Sequence, residues 1–196
     1  MNRANCSELK QLRDKWVSSD EGAAAWLEAQ VREFEGPLLL YATRLLDNED
    51  DAHDAVQETF VRLCSQERSA IDSYVGHWLF CVCRNAALTL RKSTSRIRPM
   101  TSKHLEASWI ENPLDKRAEL DETVAEVLRI LDSLPEREQE AIWLKLFQGF
   151  SYREISEITG LTISHVGVLI HTGLKKIRNR ISADQKLIDL RAEGGS

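Results

Sequence analysis

Three groups of side chains in this sequence have the types and spacing to make specific contacts. The first lies in "DNEDDAHDAVQETFVRLC", residues 47–64. Asp54, Gln57 and Glu58 fall there at helical spacing, on the side opposite the apolar residues. Carboxylates and an amide on one face suit charge-assisted hydrogen bonds to a basic partner. Taken alone, such a face also fits plain solvation. The second group, the rings of Tyr74, Trp78 and Phe80 followed by Arg84, Arg91, Lys92 and Arg96, lies in "YVGHWLFCVCRNAALTLRKSTSRIRP". Rings at one end and cations at the other suit single-stranded nucleic acid, where aromatics stack on bases and cations neutralise phosphates. Individually, Trp78 and Phe80 are expected in the core; the basic run is expected to meet phosphate. The third group is the helix after a glycine turn in "ITGLTISHVGVLIHTGLKKIRNRI", which ends in Lys175, Lys176, Arg178 and Arg180. These residues suit base edges and phosphates of a duplex. Chemistry in the catalytic sense has no candidate: no nucleophile–base pair, phosphate-cradling glycine loop or metal cluster stands out. A non-enzyme without cofactor or metal is expected.

These groups need helices to hold them. Helical patterning starts near Ala23, and Gly36-Pro37 is expected to interrupt it, because proline is tolerated only in the first turn of a new helix. "PLLLYATRLLDN" then continues with Leu38, Tyr41, Leu45 and Leu46 on one side. In the next helix Ala52, Ala55, Val56, Phe60 and Leu63 recur at helical spacing and predict one buried face. Asp50 and Asp51 near its start favour the macrodipole. "SQERSAIDS" reads as a short polar loop before the aromatic–basic helix. Residues 99–118 mix polar residues and two prolines with no sustained period, which predicts a linker, although Trp109 is unusual in one.

A second helical unit begins at Glu119 and breaks at Leu134-Pro135. The following helix is expected to bury Ala141, Ile142, Leu144 and Leu146 or Phe147, and to stop at Gly149. Ser151 and Glu154 form a capping box that starts another helix. Gly160 supplies the turn, and Thr162 caps a final helix with Ile163, Val166, Ile170, Leu174, Ile177 and Ile181 on one side. Capping box, core Ile155, turn glycine and facing Val166 together predict a helix-turn-helix.

Composition agrees with an all-α fold of two small helical domains joined by a linker. Gly and Pro number only 9 and 4, so few tight turns are expected. Net charge is −5, yet Val82 to Leu105 carries six basic residues and no acid, and Lys175, Lys176, Arg178 and Arg180 form a second basic island. Two islands separated by an acidic stretch suggest two anionic contacts. The N-terminus lacks an apolar leader, and no apolar run approaches the roughly 18 residues of a membrane span, so a cytoplasmic location is expected. Cys6, Cys64, Cys81 and Cys83 are expected as buried, reduced thiols.

One surface suits melted strand and the other suits duplex, a combination that would position DNA opening. Here the sequence resembles the extracytoplasmic-function sigma factors, the small bacterial type with two conserved regions. "DAHDAVQETFVRLC" resembles the family's polymerase-binding helix, and "HWLFCVCRNAALTLRK" its promoter-melting, minus-ten-reading helix. "LPEREQEAIWLKLFQGFSYREISEITGLTISHVGVLIHTGLKKIR" resembles its minus-thirty-five helix-turn-helix. The expected domains are an N-terminal helical extension over 1–30, region 2 over 31–98, the linker over 99–118, region 4 over 119–182 and a tail over 183–196. The resemblance implies that Asp51, Asp54, Gln57, Glu58 and Arg62 dock on the β′ clamp helices of core RNA polymerase. It places Trp78, Arg84, Asn85, Arg91, Lys92 and Arg96 near the melted promoter strand, with loop 65–75 where a flipped base is captured. It also implies promoter DNA, the β flap and an anti-sigma factor as partners. The anti-sigma factor is expected to cover the Asp54–Glu58 face or to clamp the domains together.

Two departures bear on these expectations. Thr89 stands where the family often has an acid. Gly167, Leu169, Thr172 and Leu174 occupy places in the final helix that the family often makes basic, so minus-thirty-five binding should be weak or lean on the flap. The resemblance leaves Ser164, His165, Val168, His171 and Thr172 as candidate base contacts there, with Lys175, Lys176 and Arg178 beyond them. Two other readings fit the same residues: a helix-turn-helix regulator that is not a polymerase subunit, and a helical adaptor that binds only proteins.

Overall fold

The computed structural model describes residues 21–46, 48–95 and 122–193, and every regular element among them is helical. Two compact units divide near residue 107. The first contains α1 (Glu21–Leu45), α2 (Glu49–Leu63), α3 (Arg68–Ile71), a 3-10 turn (Asp72–Tyr74) and α4 (Val75–Ser95). Its long helices α1, α2 and α4 pack pairwise around one core. Leu38, Tyr41 and Ala42 enter from α1, Ala52, Ala55, Val56 and Leu63 from α2, and Leu79, Phe80, Cys83 and Ala87 from α4. Tyr41 meets Phe80 with ring centroids 5.2 Å apart and tilted planes, a favourable aromatic geometry.

Four details differ from the sequence expectation. Gly36-Pro37 does not break the helix; α1 runs through Pro37. An interior proline removes one backbone hydrogen bond and costs about 3 kcal/mol. Burial on both sides of it, Trp26 before and Leu38, Tyr41 and Ala42 after, offsets that cost. In α2, Phe60 is only half-buried, and Thr59 takes the inner place. Its hydroxyl donates to the Ala55 carbonyl at 2.7 Å, which makes burial of the polar atom tolerable. The segment read as a polar loop contains α3 and the 3-10 turn. Cys83 is buried, as expected, but Cys64 and Cys81 are half-buried; all three are free thiols. Cys6, Arg96, Trp109 and the 99–118 linker lie outside the described residues.

The second unit contains α5 (Glu122–Asp132), α6 (Glu136–Leu146), α7 (Tyr152–Thr159) and α8 (Ile163–Glu193). Pro135 precedes α6, where its missing N–H costs nothing. The Gln139 side-chain amide reaches back to the carbonyls of Asp132 and Leu134, at 2.9 and 2.7 Å, and closes the α5–α6 corner. The core joins Leu128 and Leu131 of α5, Ala141, Ile142, Trp143 and Leu144 of α6, Ile155 of α7, and Val166, Ile170 and Ile177 of α8. Leu146 and Phe147 are exposed instead, 57% and 44%, because Trp143 fills the space one turn earlier and stacks on Phe147 at 4.2 Å. The α8 stripe is likewise shorter than its spacing predicts. Ile163 and Ile181 are 51% and 37% exposed and Leu174 is half-buried, because the covering helices flank only the middle of the stripe. At Gly173, α6 and α8 come so close that a Cβ would overlap the Ile142 side chain.

Candidate protein- and nucleic-acid-binding surfaces

Helix α2 begins at Asn48, whose side chain accepts from the Asp50 backbone N–H at 3.1 Å. Glu49, Asp50 and Asp51 occupy the first turn, where the macrodipole stabilises negative charge. With Ala52, Ala55, Val56, Thr59 and Leu63 turned inward, Asp54, Gln57 and Glu58 are exposed and Asp51 is half-buried. Arg62 donates to Glu58 at 2.7 Å, an exposed i,i+4 pair worth about 0.3–0.5 kcal/mol. Pairing fixes two long side chains along one line and leaves Asp54 as the exposed carboxylate at the centre of the face. The sequence-predicted group is therefore brought together on one helical surface.

Helix α4 buries Leu79, Phe80, Cys83, Ala86 and Ala87 against α1 and α2. Asn85, Arg91 and Lys92 are exposed on its other side, and Trp78 and Arg84 are half-buried between the two. Trp78, Asn85 and Lys92 are spaced by seven, two helical turns each, and span about 21 Å at 1.5 Å per residue. Arg84 and Arg91 run alongside. Phe80 belongs wholly to the core, whereas Trp78 keeps part of its ring at the surface. Thr89 turns its hydroxyl back to the Asn85 carbonyl at 2.8 Å. Burial pushes the Cys83 thiol up to about 12, a rise that the Thr59 hydroxyl offsets in part. Burial also raises the Cys64 thiol, more than its backbone hydrogen bond lowers it. Both stay protonated and poorly nucleophilic at neutral pH.

Between α2 and α4, the Trp26 indole N–H of α1 donates to Asp72 at 2.6 Å, and the Arg68 guanidinium lies 5.8 Å from the Trp26 ring centre. Trp26 is a contact that sequence reading missed. An aromatic three residues into the first helical pattern was its only signal.

In the second unit, the Ser151 N–H donates to Glu154 at 2.7 Å, and the Glu154 N–H donates to the Ser151 hydroxyl at 3.3 Å. This capping box starts α7. Gly160 ends it with φ of 72°, a left-handed conformation that glycine adopts without strain. Thr162 then accepts the His165 N–H at 3.3 Å and caps α8. Ile155 and Val166 are fully buried where the two helices cross. Ser164, His165, Val168, His171, Lys175 and Arg178 are exposed and, at steps of three or four, share one face of α8; Thr172 is half-buried at its edge.

Lys176 has another place. Its ammonium binds both carboxylate oxygens of Glu138, at 2.7 and 3.0 Å, and Glu138 is itself buried on α6. Arg180 donates to the Ser133 hydroxyl at 2.7 Å. The second basic island is thus divided: Lys176 and Arg180 tie α8 to the α5–α6 corner, and Lys175 and Arg178 remain on the outer face. A signal for this existed in the sequence, since Glu138 falls four residues after Leu134 and three before Ala141, on the apolar side of its helix. Among the described residues, no cluster of His, Cys, Asp or Glu could hold a metal ion, and no helix is long and apolar enough to cross a membrane.

Comparison with known proteins gives these surfaces a common setting. Residues 31–97 match the sigma-70 region 2 family, and residues 125–177 match sigma-70 region 4. The chain is 27% identical over 168 residues to the extracytoplasmic-function RNA polymerase sigma factor SigE of Mycolicibacterium smegmatis; the match covers 85% of this chain and 65% of SigE. It is 30% identical over 112 residues to the sigma factor SigM of Bacillus subtilis, covering 57% of this chain and 68% of SigM. The fold is shared with the sigma factor RpoE of Bartonella quintana, solved in complex with the anti-sigma factor NepR. The TM-score is 0.57 at 21% identity, over 80% of this chain and 97% of RpoE. The two matched regions, together with the 30% identity over 68% of SigM, an extracytoplasmic-function sigma factor, establish that the chain belongs to the extracytoplasmic-function family of RNA polymerase sigma factors.

Proposed function

We propose that this chain binds core RNA polymerase through the outer face of α2, holds melted promoter strand along α4, and reads the upstream promoter element with α8. The observation that carries this reading is the separation of faces. Every predicted contact residue described on α2 and α4 is at least partly accessible, while the opposite stripe of each helix is buried. Asp51, Asp54, Gln57 and Glu58 offer acceptors to a basic coiled coil, the β′ clamp helices, with Arg62 at the margin. Trp78, Asn85, Arg84, Arg91 and Lys92 offer a ring, an amide and cations along about 21 Å of helix, a length suited to several unstacked nucleotides. Segment 65–75 would receive the flipped base, whose lost stacking costs a few kcal/mol.

On α8, Ser164, His165, Val168 and His171 would meet base edges and Lys175 and Arg178 phosphates. With Lys176 held by Glu138, fewer cations remain for DNA, which supports weak upstream binding that relies on the β flap. The work is recognition and strand separation in the cytoplasm, and bond-making belongs to the polymerase. An anti-sigma factor, the class of partner with which RpoE was solved, would act on this chain by covering the Asp54–Glu58 face or by clamping its two domains together. The test is reconstitution with core polymerase on promoters mapped by sequencing transcript 5′ ends after overexpression. Promoter-specific initiation is expected. Duplex binding by the chain alone, without stimulated initiation, would refute the reading in favour of a self-sufficient regulator. Polymerase binding without any effect on initiation would favour an adaptor.

A further inference from the structure

The segment Arg68–Tyr74 has little to fix its own shape. Helix α3 has four residues, its N-cap Glu67 makes no side-chain capping bond, and a single 3-10 turn follows. Helical pieces this short are unstable alone, so their conformation must be imposed by contacts from outside. Two such contacts exist. Ile71, 2% exposed, plugs into the core from below. Trp26, 7% exposed and 46 residues upstream, grips the flank. Its indole N–H donates a short, charge-assisted hydrogen bond to one Asp72 oxygen, at 2.6 Å. The Arg68 guanidinium approaches the indole face at 5.8 Å and the other Asp72 oxygen at 3.8 Å, closing a triangle across the ends of the segment.

The gripped residues thereby differ from the free ones. Asp72 and Arg68 are engaged with Trp26. Ser69, Ala70, Ser73 and Tyr74 are exposed, Tyr74 by 46%. Tyr74 precedes Trp78 by one helical turn, so a hydroxyl-bearing surface with an accessible ring adjoins the start of the strand-holding helix. Hydroxyls and a ring suit one unstacked base, provided the backbone that carries them is held still.

Resting on the sigma-factor reading above, we infer that Trp26 is a positioning residue for base capture: through Asp72 and Arg68 it presets segment Arg68–Tyr74 in the shape that receives the unpaired promoter base. Trp26 itself touches no DNA. The α1 start thus carries a specificity function separate from polymerase binding.

The test uses holoenzyme assembled from full-length chain and core polymerase, on forked promoter DNA carrying each of the four bases in turn at the unpaired minus-ten positions. Trp26→Phe keeps a buried ring and loses only the N–H donor. Discrimination between the preferred and the other bases should fall about five- to tenfold, the scale of one charge-assisted hydrogen bond to a half-exposed carboxylate. Affinity for core polymerase should stay at the wild-type value. Asp72→Asn, which retains an acceptor oxygen, should keep most of the discrimination that Asp72→Ala loses. Undiminished discrimination in both Trp26→Phe and Asp72→Ala would overturn the inference. So would a parallel loss of core affinity, which would make Trp26 a fold support only. If wild-type holoenzyme fails to initiate on the same DNA, the sigma-factor reading fails, and this inference with it.

Discussion

Substituting alanine for Lys176 should destabilise the second helical unit. Glu138 is 7% exposed, and both its oxygens bind the Lys176 ammonium, at 2.7 and 3.0 Å. Replacing Lys176 with alanine leaves a carboxylate buried without its counter-charge. Removing one partner of a fully buried pair costs about 3–5 kcal/mol. Lys176 is 46% exposed, however, so water can reach the vacated position, and about 2 kcal/mol is the better figure. For a unit of this size that corresponds to a midpoint roughly 10 °C lower. Thermal unfolding of the full chain by far-ultraviolet circular dichroism, with Lys175→Ala as the control, reads it directly. Lys175→Ala should unfold at the wild-type temperature but weaken DNA binding and flatten its salt dependence by about one unit of slope. The double variant Glu138→Gln/Lys176→Met, which removes both charges at similar volume, should recover most of the lost stability. Melting of Lys176→Ala at the wild-type temperature, with a loss of DNA affinity like that of Lys175→Ala, would overturn this role for Lys176.

Three further outcomes follow from the same geometry. Asp54→Lys combined with Glu58→Lys should reduce affinity for core polymerase at least tenfold, about 1.4 kcal/mol or more, with an unchanged far-ultraviolet spectrum; wild-type affinity in a pull-down titration would sink the docking assignment. Gly173→Ala should destabilise the second unit by about 1–3 kcal/mol, because the new methyl meets Ile142; urea unfolding checks this. Native Cys83 should resist thiol reagents at pH 8 while Cys64 and Cys81 react sooner. Because its folded value is raised to about 12, its contribution to stability is complete below pH 9 and declines as pH rises from 9 towards 12.

Much of this architecture was legible in local signals. The Ser151–Glu154 box, the Gly160 turn and the Thr162 cap each act within four residues, so their chemistry is visible in the sequence and reappears in the hydrogen bonds. The stripe Ala52–Ala55–Val56–Leu63 was equally plain, and it left Asp54, Gln57 and Glu58 outside by elimination. What escaped depends on partners far along the chain. Pro37 keeps its helix because burial on either side outweighs a local rule. Lys176 finds Glu138 38 residues away, and Trp26 finds Asp72 46 residues away. Ile163 and Ile181 carry the right period for burial, but period alone does not say where the covering helices end.

The inward side of α8 anchors through Val166, Ile170, Gly173 and Ile177, while Ser164, His165, Val168 and His171 are exposed. Buried anchor and exposed positions thus lie on separate sides of one rod. If α8 reads the upstream element as proposed, new residues at those four positions would redirect the chain to other control sequences without a second change elsewhere to keep it folded.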